Sequence, residues 1–385
     1  MRMIDQSSIR RQNLEKVWNT LLRQKRVSRQ ALAEGTGLSL MSVSNLVDQL
    51  STQQVLRGAM QQREPEAPGH KPTGRKAELL SIREDKFAWI VLDLTSLHFR
   101  LIAVALDLSA ILPDAVYPYD PRVPYAENLL RFLREARGHI ETSLQDRRPL
   151  GIAVVTPGPY HLQCDAVRNS RIPELNDIRI KETLRREVGA YDYFVEEDVK
   201  LAIRAYLTDD TLLYYLYIGE GVGGAVAYHG DVLRGRNAIA GDAGQLPCAA
   251  GGAYEDALSL SAFVRRLRGS VAADLGEDAL LAEAEACARA DEDAYLDALR
   301  AAADTLAALL HTIIWVLDPL RIVIDCRYAL AFEQYFLQET SARVQALLEG
   351  SLLTMPAILP ATGEVRGVLY GAAQALSGQW FERIV

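Results

Sequence analysis

Near the start of the chain, apolar residues recur at three- and four-residue spacings, the period of a helix with one buried face. Ile9, Leu14, Val17, Trp18 and Leu21 mark such a face over residues 9–24. Ser28 stands where an N-cap belongs, ahead of a short helix over 29–34 that Gly35 or Gly37 ends. Ser39 opens a third helix over 40–54, with Val43, Leu46, Val47 and Leu50 turned inward. The pattern then changes. Segments 55–58 and 79–82 read as a strand pair around the polar, Pro- and Gly-rich stretch 61–76. Further on, 88–94 and 99–106 form a predicted hairpin, followed by a helix over 126–144 and a buried strand at 151–155. A strand ending at Val195 runs into a helix over 198–207, and a second hairpin joins 212–218 to 222–228 around Gly219-Glu220-Gly221. Helices dominate from there to about Trp315, a short strand covers 321–324, and a last helix starts near Gly367. Two repeats of hairpin, strand and helix predict an α/β body of two lobes with a cleft between them, the usual place for a small ligand.

At 385 residues and 49% hydrophobic, the chain can bury two or three cores. Charge, Gly or Pro interrupts every candidate apolar stretch, so no membrane span or signal peptide is expected. Cys164, Cys248, Cys287 and Cys326 form no close pair, which fits a reducing cytoplasm better than a disulfide framework. The net charge of −8 is unevenly spread. Residues 1–80 carry 13 Lys and Arg against 7 Asp and Glu, leaving 29 against 43 for the rest. A basic head on an acidic body suggests that only the head meets a polyanion.

The glycine-bearing segment 35–39 between two short helices suits the turn of a helix-turn-helix. With the apolar residues of the third helix committed to the core, its outer face presents Leu40, Met41, Ser42, Ser44 and Asn45. Residues at that end of a recognition helix reach base edges in the major groove, where Asn45 can pair with adenine. Ser28 and Arg29 open the preceding helix, where a phosphate would meet a cation and free N–H groups. The basic run 71–76, with Arg75 and Lys76, suits a wing tip in contact with DNA and equally suits a plain linker.

Several motifs, in order, resemble the ROK family of sugar-responsive repressors and sugar kinases. They are Ser28-Arg29-Gln30-Ala31-Leu32-Ala33 with Gly37-Leu38-Ser39, then Gly74-Arg75-Lys76, Thr156-Pro157-Gly158 and Glu196-Glu197-Asp198-Val199-Lys200-Leu201-Ala202. Gly219-Glu220-Gly221-Val222-Gly223-Gly224 and the run Gly235 to Gln245 complete the series. The resemblance spans essentially the whole chain. It implies an α/β protein with an N-terminal winged helix-turn-helix followed by a two-lobed, actin-like ATPase (sugar kinase-like) fold. The head would occupy residues 1–80, the first lobe 81–197 plus 366–385, and the second lobe, with a helical dimerisation region, 198–365. It also implies a homodimer or dimer of dimers on a palindromic operator of double-stranded DNA, with a sugar or sugar phosphate as effector.

The chemistry departs from that pattern in three places. The first phosphate turn of a family kinase reads Asp-x-Gly-Gly-Thr, and here it is Asp93-Leu94-Thr95-Ser96-Leu97, whose side chains obstruct backbone approach to phosphate. The second turn keeps its glycines but carries Glu220 where a hydroxyl is usual, and a carboxylate repels a triphosphate. The family's zinc cluster of one His and three Cys is reduced to Gln245 and Cys248, too few soft ligands for a closed site. The sugar-binding positions become Arg171, Glu197, Asp198, Asp242, Gln245 and Glu255. These side chains can bond hydroxyls. Arg171, Glu197 and Lys200 can also form an internal ion network that fills the cleft.

Three classes therefore compete. The first is a carbohydrate-responsive regulator, most simply a repressor, with no enzymatic activity, metal or cofactor. The second is a regulator whose body is only a dimerisation and protein-interaction platform. The third is a sugar kinase with an added domain, which the altered turns disfavour.

Overall fold

The computed structural model describes residues 6–60, 78–95, 98–120, 122–168, 172–208, 211–271, 275–361 and 366–385. The head comprises α1 (Gln6–Gln24), β1 (Val27–Ser28), α2 (Arg29–Thr36), α3 (Leu40–Thr52), β2 (Leu56–Met60) and β3 (Glu78–Ile82). The caps form as the sequence requires. Ser28 accepts a hydrogen bond from the Ala31 N–H at 3.2 Å, and Ser39 accepts one from Ser42 at 3.1 Å. Gly37, with φ of +68°, ends α2 in a left-handed conformation that side chains rarely adopt. The two predicted wing strands pair antiparallel, Leu56 opposite Ile82. A third strand that the sequence did not suggest, β1, adds to β3. Leu14, Val17, Trp18 and Leu21 are buried as predicted, but Ile9 is 45% exposed, because the shared core closes at Leu14 and leaves the first turns outside it.

The first lobe contains β4 (Phe87–Asp93), β5 (His98–Ala105), β6 (Ala115–Pro118), α4 (Tyr125–Ser143), β7 (Arg148–Thr156), the short pair β8 (Tyr160–His161) and β9 (Ala166–Val167), α5 (Ile180–Glu187) and β10 (Tyr193–Glu197). A short helix, α6 (Asp198–Ala202), leads through a 3-10 turn to the second lobe. There follow β11 (Leu213–Ile218), β12 (Val222–Tyr228), β13 (Asp231–Leu233), α7 (Tyr254–Leu258), α8 (Leu260–Arg268), α9 (Glu277–Ala290), α10 (Glu292–Leu317), β14 (Arg321–Cys326), α11 (Glu333–Leu348) and β15 (Ala357–Pro360), with α12 (Arg366–Ile384) last.

The repeat read in the sequence is explicit in the sheets. One runs β6-β5-β4-β7-β10 and the other β13-β12-β11-β14-β15, each with three strands from a meander and two added in parallel. The sequence missed the edge strands β6, β13 and β15 and the helix α11, since short half-buried edges carry little periodicity. It also gave 198–207 as one helix, whereas the α-helix stops at Ala202 and a 3-10 turn follows.

One apolar stretch is longer than the sequence reading allowed. By length and composition α10 is apolar enough to cross a membrane. Its apolar residues, among them Leu299, Leu306, Leu310 and Ile314, are buried in the core of the second lobe.

The head is not an appendage. Trp18 of α1 meets Trp380 and Phe381 of α12 edge-to-face, with centroids 6.1 and 5.8 Å apart. Head residues such as Leu46 and Val47, sheet residues such as Trp89 and Val155, and Ala372, Leu376 and Phe381 of α12 belong to one continuous core. Arg11 pairs with Glu382 at 2.5 Å, and the Gln49 amide donates to the Ile384 carbonyl at 2.6 Å. Helix α12 touches the body as closely as the head. A Cβ on Gly371 would stand 1.9 Å from the Leu201 carbonyl oxygen of α6, so only glycine permits the crossing.

Candidate functional site

A cleft of about 1510 Å³ lies between the two sheets, and α6 enters it from the end of β10. Asp198 begins that helix, and its carboxylate accepts the Val199 N–H at 2.7 Å. Around it the cleft collects Glu197, Asp242, Gln245 and Glu255, four positions that the sequence assigned to ligand binding. Arg171 lies outside the described residues, so its role in an ion network stays an expectation. The rest of that network forms: Glu197 and Lys200, both buried, make a direct ion pair. Their pair lies within the wall and leaves the cleft open.

The electrostatics of this wall are dominated by burial of its carboxyl groups. Burial pushes the Glu197 carboxyl up to about 8, against the pull of Lys200 and with the help of neighbouring Asp198. Burial also pushes Asp198 up to about 7, opposed by the Val199 N–H and reinforced by Asp93. Asp242 is raised by burial as well. Among the described residues the cleft is lined by nine carboxylates, five of them Asp and four Glu, against three guanidinium groups, Arg100, Arg168 and Arg327.

The two phosphate turns have other occupants. Asp93 accepts both the N–H and the hydroxyl of Thr95, at 2.9 and 2.5 Å, closing the first turn on itself. Ser96 and Leu97 lie outside the described residues. At the second turn, a Cβ on Gly219 would lie 2.1 Å from the Tyr217 hydroxyl and 2.9 Å from Arg327. Those two side chains are locked in place. Tyr217 donates to Glu277 at 2.7 Å and Arg327 donates to the same carboxylate at 3.1 Å. Gly224 packs instead against the Gly241 carbonyl, 2.3 Å from where its Cβ would be. The glycines thus serve close packing of the chain on itself, with Tyr217, Glu277 and Arg327 standing in the space before the turn. The Tyr217–Glu277–Arg327 group was not visible in the sequence, because its members come from β11, α9 and the segment after β14.

Glu255, the last predicted sugar ligand, reaches the second turn and accepts the Val222 N–H at 3.1 Å. Gln245 is exposed, and Cys248 sits in a tight turn closed by the Gly251 and Gly252 backbones. Among the described residues no group of three His, Cys, Asp or Glu side chains is placed to hold a metal ion. All four cysteines are free thiols.

In the head, Leu40 and Met41 are 53% and 78% exposed, Asn45 is exposed, and Ser42 and Ser44 are half-buried. Arg29, assigned to phosphate, donates to the Ser44 carbonyl at 3.1 Å and to Asp48 at 2.7 Å, which fastens α2 to α3. Arg75 and Lys76 fall outside the described residues.

Comparison with known proteins agrees with this architecture. The ROK family profile matches residues 93–378, most of the chain. The chain belongs to the ROK family. The actin-like fold expected for a ROK protein is matched by solved structures. A ROK family transcriptional regulator, homologue of the Escherichia coli Mlc protein, superposes with a TM-score of 0.70 at 17% identity, covering 98% of both chains. A ROK family protein from Streptococcus pneumoniae in complex with sucrose gives 0.58 at 19%, covering 75% of this chain and 98% of its own. A ROK glucokinase from Streptomyces griseus in complex with glucose and AMPPNP gives 0.58 at 16%, with the same coverage. No curated protein matches this ROK chain in sequence.

Proposed function

We propose that this ROK protein is a DNA-binding transcriptional regulator, acting as a repressor of carbohydrate-related genes, whose kinase-shaped body transfers no phosphate. The observation that carries this reading is the single core uniting α1, the first-lobe sheet and α12, which joins a helix-turn-helix head to the helix crossing α6. A head merely tethered to an enzyme would not need that core. The neighbours support the same division, since the regulator covers 98% of this chain and the glucokinase 75%.

Loss of phosphate transfer follows from the turns. Tyr217 and the Arg327–Glu277 ion pair lie against Gly219, and Glu220 adds negative charge where a triphosphate would bind. No cofactor or metal is required. The effector is a small polyol in the cleft, held by hydroxyl contacts to Glu197, Asp198, Asp242, Gln245 and Glu255. The carboxylate excess favours an uncharged or amine-bearing sugar over a sugar phosphate. A ligand there biases α6, then α12 through Gly371, and so the seat of α1. Homodimerisation, or a dimer of dimers, presents two heads to a palindromic operator.

One experiment addresses both halves. The purified chain is mixed with a random duplex library, and bound DNA is recovered with and without glucose, glucosamine, glucose 6-phosphate or Mg-ATP. Recovery of palindromic duplexes, released by a neutral or amine sugar and not by ATP, is the expected outcome. Sugar-dependent ADP release would instead establish a kinase. Duplex binding unaffected by any sugar, with no thermal shift, would favour the second reading, in which the body is a dimerisation and protein-interaction platform.

A further inference from the structure

The face of α3 that remains free after folding is narrower than its sequence suggests. Ser42 shares a 2.9 Å hydrogen bond with the cap residue Ser39. The Gln49 side-chain oxygen accepts from Nε and Nη2 of Arg10, at 3.1 and 2.7 Å, while its amide nitrogen donates to the Ile384 carbonyl. Asp48 and the Ser44 carbonyl hold Arg29. Both guanidinium groups bonded to α3, Arg10 and Arg29, are thus engaged by the helix itself. The first half of α3 contains no Lys or Arg. What it offers outward is Leu40, Met41 and the Asn45 amide, whose side chain makes no hydrogen bond among the described residues, with the half-buried Ser44 hydroxyl beside them.

Guanine is recognised in the major groove chiefly by a bidentate cation on O6 and N7. Adenine is recognised by Asn or Gln on N6 and N7, and thymine by apolar contact with its C5 methyl. We infer that the free face formed by Leu40, Met41 and Asn45 selects adenine–thymine pairs in each half-site, through an Asn45–adenine contact flanked by apolar packing on thymine methyls, and reads no guanine. The inference rests on the proposal that the head binds DNA. Arg29 is then a positioning residue: it sets the angle between α2 and α3 and does not choose the base. The two exposed apolar side chains gain a purpose, because the thymine methyl is the one apolar group that the groove floor presents.

The test uses the full chain and the duplex recovered by random selection. Half-sites centred on A·T steps are expected. Replacing a single contacted thymine by uracil, which removes only the methyl, should weaken binding about threefold to fivefold, the scale of one buried methyl group. Asn45→Ala should weaken binding at least about fivefold while leaving the salt dependence unchanged, since phosphate contacts are untouched. Replacing the critical adenine by 7-deazaadenine, which removes only the N7 acceptor, should cost the wild type part of that loss and cost Asn45→Ala nothing further. Arg29→Met should lower thermal stability without altering base preference. Half-sites with an invariant guanine protected by α3, or indifference to uracil substitution, would overturn the inference while leaving DNA binding intact. Recovery of no duplex at all would remove both.

Discussion

In the head, Ser28 and Ser39 accept hydrogen bonds from N–H groups three residues on, as helix caps do. In the cleft, Gly219 and Gly224 stand in a turn that resembles a phosphate cradle, yet the space they free is taken by Tyr217, Arg327 and the Gly241 carbonyl. The two regions differ in reach. A cap is decided within one turn of chain, so its sequence signal and its role coincide. A phosphate cradle depends on what distant segments place in front of it, and here β11, α9 and the segment after β14 close it with an ion-paired group. A motif is as informative as its neighbourhood is local.

The strongest challenge to this contrast is aimed where the two regions join. Trp380→Ala removes a buried aromatic that packs on Trp18 and should destabilise the protein by about 3–5 kcal/mol. Chemical denaturation would measure the loss, and faster amide exchange in α1 and α3 would locate it in the head. An effect confined to the first lobe would mean that head and body are energetically separate.

A smaller effect distinguishes the cleft. Asp198 and Glu197 have folded-state values near 7 and 8, above their ordinary ones, so folding takes up protons. Their contribution is fully present below the ordinary carboxylate range and is lost as pH rises through about 7 to 8. Asp198→Asn should therefore raise the melting temperature at pH 8.5 by several degrees, at about 2–4 °C per kcal/mol, and change it little at pH 4. Equal shifts at both values would show that the charge is not responsible. The smallest effect belongs to the head: Ser39→Ala should cost about 1 kcal/mol in unfolding free energy, with no dependence on pH in that range.

What was legible in the chain follows the same division by reach. The caps, the Gly37 stop, the inward residues Val43, Leu46, Val47 and Leu50, and the repeated hairpin-strand-helix order were readable, because period and local chemistry specify them. The cleft residues Glu197, Asp198, Asp242, Gln245 and Glu255 were placed together only through the family resemblance, and the structure lines one cavity with all five. Their perturbed titration, the Tyr217–Glu277–Arg327 group and the restraint of Arg10 and Arg29 by α3 were not readable. Each needs partners supplied by tertiary packing. The first strand of the head and the edge strands of the lobes were missed because two to four residues are too short for a pattern.

The pairing of Arg11 with Glu382 spans 371 residues of sequence, and the Trp18 core beside it spans nearly as many. During synthesis the head leaves the ribosome first, yet its core closes only when α12 follows. A chain interrupted before α12 would therefore carry the whole of α1, α2 and α3 and still lack the surface on which α1 rests. Such fragments would leave Trp18 and the rest of the α1 core face without a partner, so the packing of the head is completed only by the last helix of the body.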